Sequence, residues 1–216
     1  MATGAIADLR LYLVTDYELA TRADRTELAV VKAAIEGGVT AVQFRDKSRD
    51  GRILYETGRE LRTFCREAGV AFIVNDRLDL ALALEADGLH LGQSDLPVEV
   101  ARRIAGDRLF IGLSVLDEQE TLRALQEEAD YLGASPVFTS STKPDAGVGM
   151  GLTGLAKLTG LAGSLPVVGI GAINETNAAA VMQAGAAGIA VVSALVAAPD
   201  VKKAAQRLRD LVDSCL

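Results

Sequence analysis

Short apolar runs alternate with longer amphipathic segments along the whole chain. The runs are rich in Val, Ile and Leu and cover 9–15, 41–45, 71–75, 88–92, 109–114, 131–134, 166–170 and 188–192. Most are apolar without strict alternation, which marks strands buried on both faces. Helical patterns lie between them, over 24–36, 51–68, 78–85, 97–105, 118–128, 154–161, 175–184 and 200–212. Turns that carry Gly37, Gly38, Gly69 and Gly185 close several of these helices. Strand–helix alternation forces parallel pairing with right-handed crossovers. Eight such units predict an α/β fold, a (β/α)8 TIM barrel, made by residues 1–216 as one domain. The alternative is an open doubly wound sheet. It fits less well, because no Gly-x-Gly-x-x-Gly follows the first strand and eight units match closure.

Composition sharpens this picture. Hydrophobic residues are 50% of the chain, enough for a large core, but aromatics are only 4% and Trp is absent. The core is therefore expected to consist of Ala, Val, Leu and Ile. The net charge of −7 argues against a general nucleic-acid partner, though a few local cations can still hold an anion. Cys65 and Cys215 form neither a metal spacing nor a disulfide framework, which fits a reducing cytoplasmic compartment. The first residues show no basic region leading into a long apolar run, so no signal peptide is expected. Residues 178–199 carry only Gln183 and Ser193 as polar side chains. This stretch is mostly Ala and Gly, so it reads as a helix end, a buried strand and a connecting loop rather than a membrane span.

A barrel of this kind places its chemistry at the C-terminal ends of the strands. Polar residues collect there. Gln43, Arg45 and Lys47, where the second strand ends, are spaced by two, so they project to one side of an extended segment. They read either as an anion site or as ordinary surface charge. Asn75 and Asp76 end the third strand, and Asp95 follows the fourth. Each aspartate alone could cap a helix. Together, from neighbouring strands, they could hold a hard cation such as Mg2+.

After the sixth strand, Ser140, Ser141, Thr142 and Lys143 precede Gly147, Gly149 and Gly151, which reads as a phosphate-gripping lid. Gly169, Gly171 and Ala172 after the seventh strand, and Ser193 after the eighth, suit a second phosphate held by backbone N–H groups. His90, the single histidine, lies inside the fourth strand and reads as a satisfied interior residue. No Ser, Cys or Thr shows an evident partner for a covalent triad. Two anion grips, a cation site and no nucleophile suit departure of a diphosphate.

These motifs together resemble the thiamine-phosphate synthase (thiamine-phosphate pyrophosphorylase) family over essentially the whole length. The resemblance rests on the segments LYLVTD, VQFRDK, IVNDRLDLALALEADGLHLGQSD, IGLSV, SPVFTSSTKPDAG, PVVGIGAI and IAVVSAL. It implies a barrel transferase of thiamine biosynthesis. The enzyme would join 4-amino-2-methyl-5-hydroxymethylpyrimidine diphosphate to 4-methyl-5-(2-hydroxyethyl)thiazole phosphate, releasing diphosphate. By this resemblance Gln43, Arg45, Lys47, Asn75 and Lys143 would bind the pyrimidine diphosphate. Asp76 and Asp95 would carry Mg2+, and Ser114 would sit near the reacting rings. Arg45, Ser114 and Lys143 would be the catalytic group. Ser140, Thr142, Gly171, Ala172, Val192 and Ser193 would hold the thiazole phosphate. The implied partners are these small molecules, with neither nucleic acid nor membrane, and a homo-oligomer stays open.

Three positions depart from the family pattern: Leu116 replaces a usual His, Thr139-Ser140 a Pro-Thr pair, and Ala172 a second Gly. The alternatives are a thiazole tautomerase-like isomerase and a non-catalytic thiamine-phosphate-binding barrel. Leu116 argues against the first, because moving protons there needs a histidine.

Overall fold

A computed structural model describes residues 7–139 and 148–216. Eight parallel strands follow one another around a closed barrel, and β1 pairs with both β2 and β8. They are β1 (Leu11–Val14), β2 (Ala41–Phe44), β3 (Ala71–Asn75), β4 (Gly88–Leu91), β5 (Phe110–Val115), β6 (Tyr131–Ala134), β7 (Val167–Ile170) and β8 (Gly188–Val191). Each falls on one of the expected apolar runs. The described helices are α1 (Tyr17–Arg22), α2 (Glu27–Glu36), α3 (Gly51–Glu67), α4 (Leu78–Ala83), α5 (Val98–Ala105), α6 (Glu118–Gln126), α7 (Gly151–Ala162), α8 (Ala178–Gln183), α9 (Ser193–Val196) and α10 (Val201–Asp213). The fold is the (β/α)8 barrel that the sequence pattern predicts.

Local chemistry sets several helix starts. Thr26, Asp117 and Asp200 accept hydrogen bonds from the N–H groups of Ala29, Glu120 and Lys203, satisfying donors that a helix start leaves open. Two helices escape the sequence pattern. α1 spans six residues and α9 four, and each is an additional helix in a unit where the alternation predicts only one. α9 lies where the sequence suggests a connecting loop. Residues 178–199 divide into α8, β8 and α9, and among the described residues no helix is long and apolar enough to cross a membrane.

Apolar residues form two compartments. The outer one lies between strands and helices and is mostly aliphatic, as composition predicts. The inner one fills the barrel and departs from that expectation. Tyr12 and Tyr131 sit at its centre, fully buried, with Val14, Ala41, Ile73, Val168 and Ala190 around them. So few large rings fit because glycines stand opposite them. Gly112 is in register with Tyr131, and a Cβ there would lie 2.1 Å from the Tyr131 Cζ. Gly133 faces His90, where a Cβ would lie 3.0 Å from Cε1.

Gly112→Ala is expected to displace Tyr131 and cost about 1–3 kcal/mol, the usual range for overpacking a core. Urea unfolding followed by circular dichroism checks this as a lower midpoint. Cys65 is buried, and burial pushes its thiol up to about 12. In the native protein at neutral pH it stays a thiol and should not react with Ellman's reagent, whereas the half-exposed Cys215 should. Two thiols should titrate only after unfolding.

Candidate active site

Side chains that point inward near the strand ends line one cavity at the C-terminal mouth of the barrel. Gln43, Arg45, Asn75, Ser114, Gly171, Ala172, Val192 and Ser193 all border it. Lys47, Asp76 and Asp95 follow these residues along the loops but do not border the cavity themselves. Ser140, Thr142 and Lys143 lie outside the described residues.

The cavity floor is a continuous hydrogen-bonded chain. Gln43 donates through Nε2 to the Tyr12 hydroxyl at 2.9 Å. The Tyr12 and Tyr131 hydroxyls lie 3.0 Å apart. Tyr131 reaches His90 Nδ1 at 2.8 Å, and His90 Nε2 reaches Ser114 Oγ at 2.9 Å. Five strands thus contribute one member each. Burial raises both phenols well above their ordinary range, so they stay protonated at the pH of a cell. The polar strand-end residues signalled a site, but Tyr12 and Tyr131 were hidden among apolar neighbours. A phenol within a buried strand is the signal that could have found them, because its hydroxyl needs a partner.

A Ser–His pair corrects the sequence expectation that no hydroxyl has such a partner. It does not make a triad of the hydrolase kind. There a carboxylate holds the other ring nitrogen and stabilises an imidazolium. Here that partner is a buried phenol.

The loop after β2 carries Arg45 and Lys47 and is braced from behind. Asp46 accepts from the N–H and hydroxyl of Ser48 at 2.7 and 2.8 Å, and from Arg49. Burial alone would raise the Asp46 carboxyl, but these donors hold it below its usual value. Arg49 also pairs with Glu27 of α2 and stacks on the Tyr17 ring of α1, 4.0 Å from its centroid. Burial holds the Glu27 carboxyl above its usual value, and among the described residues its Oε1 has no hydrogen-bond partner.

Neither aspartate caps a helix. The start of α4 has no side-chain cap, and neither has the start of α5. Asp76 instead adopts a left-handed backbone, φ 61°, and its N–H donates to the His90 carbonyl at 2.8 Å. Its carboxylate pairs with Lys47 at 3.2 Å. Asp95 accepts from the Gly92 N–H at 2.7 Å. Burial raises the Asp95 carboxyl, the Gly92 N–H opposes this, and neighbouring Asp76 raises it further. Two carboxylates pressed together are a donor set that suits a hard dication. Among the described residues no cluster of three or more His, Cys, Asp or Glu side chains could hold a metal. The other positions of such an ion would fall to water and substrate oxygens.

Across the mouth, β7 leads into Gly171 and Ala172. Gly171 has φ 116°, and a Cβ there would lie 2.7 Å from Pro136 Cβ, so only glycine fits. Ala172 is also left-handed, φ 47°, a conformation that costs an alanine about 1–2 kcal/mol. Asn174 and Asn177 secure the turn by donating to the Ala172 carbonyl at 3.3 and 3.0 Å. Ala172 borders the cavity, as do Val192 and Ser193.

Arg49→Ala should leave Glu27 and Asp46 without their cation. It is expected to cost about 3 kcal/mol, the scale for breaking a buried pair. Arg49→Lys should recover part of that. Chemical denaturation of both variants checks it.

The family model described as thiamine monophosphate synthase matches residues 11–195. A thiamine-phosphate synthase of Chloroflexus aurantiacus is 51% identical over 212 residues, 98% of this chain and 96% of that one. That of Moorella thermoacetica is 48% identical, over 94% of this chain and 95% of the other. The solved thiamine phosphate pyrophosphorylase of Pyrococcus furiosus is 45% identical with a TM-score of 0.89, covering 97% of this chain and 98% of that one. With the match running through every strand of the barrel, the chain belongs to the thiamine monophosphate synthase family.

Proposed function

We propose that this chain is a transferase of thiamine biosynthesis. It joins 4-amino-2-methyl-5-hydroxymethylpyrimidine diphosphate to 4-methyl-5-(2-hydroxyethyl)thiazole phosphate and gives thiamine monophosphate and diphosphate. The observation that carries this reading is the grouping at the mouth of β2, β3 and β4. Arg45 borders the cavity, and Lys47 lies 3.2 Å from the carboxylate of Asp76, beside Asp95. A phosphosugar isomerase would need only the grip after β7 and β8.

The C–O bond between the pyrimidinyl methylene and the diphosphate breaks, and the electron pair leaves with the diphosphate. The amino group of the ring donates into the methylene as the bond breaks, so a dissociative path is favoured. The thiazole nitrogen then supplies the pair for the new C–N bond. Arg45, Lys47 and Lys143 meet the charge that gathers on the leaving group. Asn75 and Gln43 orient the pyrimidine, and Ser114 stands at the floor beside it. Ser140, Thr142, the backbone at Gly171 and Ala172, and Val192 with Ser193 hold the thiazole phosphate. Asp76 and Asp95 would hold Mg2+, which when bound supplies positive charge to the diphosphate oxygens. The barrel mainly brings two substrates together and keeps water from the reactive methylene.

Leu116 is 42% exposed and its N–H donates to Glu120 Oε2 at 2.7 Å, so the position of the family's usual histidine is apolar here. Proton transfer of the tautomerase kind has no such group at that position. A cytoplasmic site of action follows from the substrates of this reading.

The test mixes the protein, both substrates and Mg2+ and follows thiamine monophosphate as fluorescent thiochrome. Product should vanish with EDTA and fall about 100-fold in Asp76→Ala, the scale for losing one stabiliser of the developing charge. Substrate binding without product, from folded protein with Mg2+, would overturn the synthase reading.

A further inference from the structure

The chain of hydrogen bonds beneath the cavity has a direction. Gln43 can only donate through its Nε2, and it points that nitrogen at the Tyr12 oxygen. Tyr12 therefore has its own hydrogen left, and the neighbouring acceptor is the Tyr131 oxygen at 3.0 Å. Tyr131, if it accepts from Tyr12, has its hydrogen left for His90 Nδ1, 2.8 Å away. A neutral imidazole that accepts at Nδ1 carries its proton on Nε2, and Nε2–H then donates to Ser114 Oγ. In this order, which starts from the Gln43 donor, every hydrogen along the path runs from β2 towards β5.

The end of the path matters for chemistry. A serine that accepts from the imidazole has its own O–H free to aim elsewhere. The Ser114 backbone is pinned by Gln93, whose Nε2 donates to its carbonyl at 2.7 Å. Gly133 lies opposite Ser114 in register and adds no side chain on that flank. The open direction is the cavity, which Ser114 lines.

We propose that His90 is a positioning residue whose ring, held at Nδ1 by Tyr131, donates from Nε2–H to Ser114 Oγ, which makes Ser114 a hydrogen-bond donor to a lone-pair-bearing atom of the bound substrate. This deepens the transferase reading, in which that atom is a pyrimidine ring nitrogen or an ester oxygen of the leaving group. The opposite orientation, with the amide oxygen of Gln43 facing Tyr12, would reverse every bond. The ring proton would then sit on Nδ1, and the Ser114 hydroxyl would be spent on His90. The two arrangements predict opposite tautomers and opposite roles for Ser114.

The chain has one histidine, so its ring signals are unambiguous. Long-range 1H–15N correlation spectra of 15N-histidine-labelled, ligand-free protein at neutral pH separate a protonated ring nitrogen from a bare one. The expected result is a protonated Nε2 and a bare Nδ1, and Tyr131→Phe should change the pattern to a mixture. His90→Leu should lower kcat about tenfold with less change in KM. His90→Gln, whose amide can still donate towards Ser114, should recover part of that loss. A proton on Nδ1, or on both nitrogens, in the wild-type protein overturns the proposal. So does equal activity of the Leu and Gln variants, provided both give native circular dichroism. The spectrum needs no turnover, so a failed synthase assay leaves the tautomer result standing by itself.

Discussion

Two phenols at the centre of the barrel set the terms for the rest of the structure. Tyr12 and Tyr131 are 1% and 0% exposed, and a buried hydroxyl left unpaired costs roughly 1–3 kcal/mol. Neither exposes appreciable surface, so each needs a partner inside. They find one another, and then Gln43 on one side and His90 on the other. The rings also need volume, which the register supplies by placing Gly112 beside Tyr131 and Gly133 beside His90. A slip of one residue in β5 or β6 would turn these glycines outward and close the space. Packing and hydrogen bonding therefore select the same register, which is what gives a barrel interior a single arrangement.

The floor and the mouth use different devices. The floor is built of hydroxyl, amide and imidazole groups held by strands. The mouth is charged and sits on loops, which are softer. The loop after β2 escapes that softness because Asp46 holds Arg49, and Arg49 ties the loop to α1 and α2. This brace is expensive in electrostatic terms, since Glu27 stays buried with one oxygen unpaired among the described residues. What it secures is the approach of Arg45 to the cavity and of Lys47 to Asp76. The chain carries a net charge of −7, so a binding site for anions depends on where a few cations are held rather than on how many there are.

The eight strands were legible because parallel strands buried on both faces read as short apolar runs, and each run lies on a strand of the barrel. The helices were legible where strand–helix alternation calls for one, the six-residue α4 and α8 included. α1 and α9 were not, since each is a short additional helix in a unit that already has one. At the site, the residues that a strand delivers by its own two-residue alternation were visible, Gln43, Asn75 and Ser114 among them. Relations between strands were not. The contact of His90 with Ser114 needs β4 beside β5, and the grip of Arg49 on Glu27 spans 22 positions and two elements. The helix-cap reading of Asp76 and Asp95 fits spacing equally well, and only the backbone geometry separates the two readings.

His90 joins the parts of the site that sequence treats separately. Its side chain runs from the buried Tyr131 to Ser114. Its carbonyl accepts from the N–H of Asp76, which fixes the left-handed turn at the end of β3. That turn sets where the Asp76 carboxylate meets Lys47. One strand residue therefore fixes the hydroxyl at the floor through its ring and the carboxylate at the mouth through its backbone. A side-chain substitution can disturb the first and leave the second in place, because the backbone bond does not depend on the ring. Ring geometry and charge placement are thus separable contributions to one site, although they share a single residue.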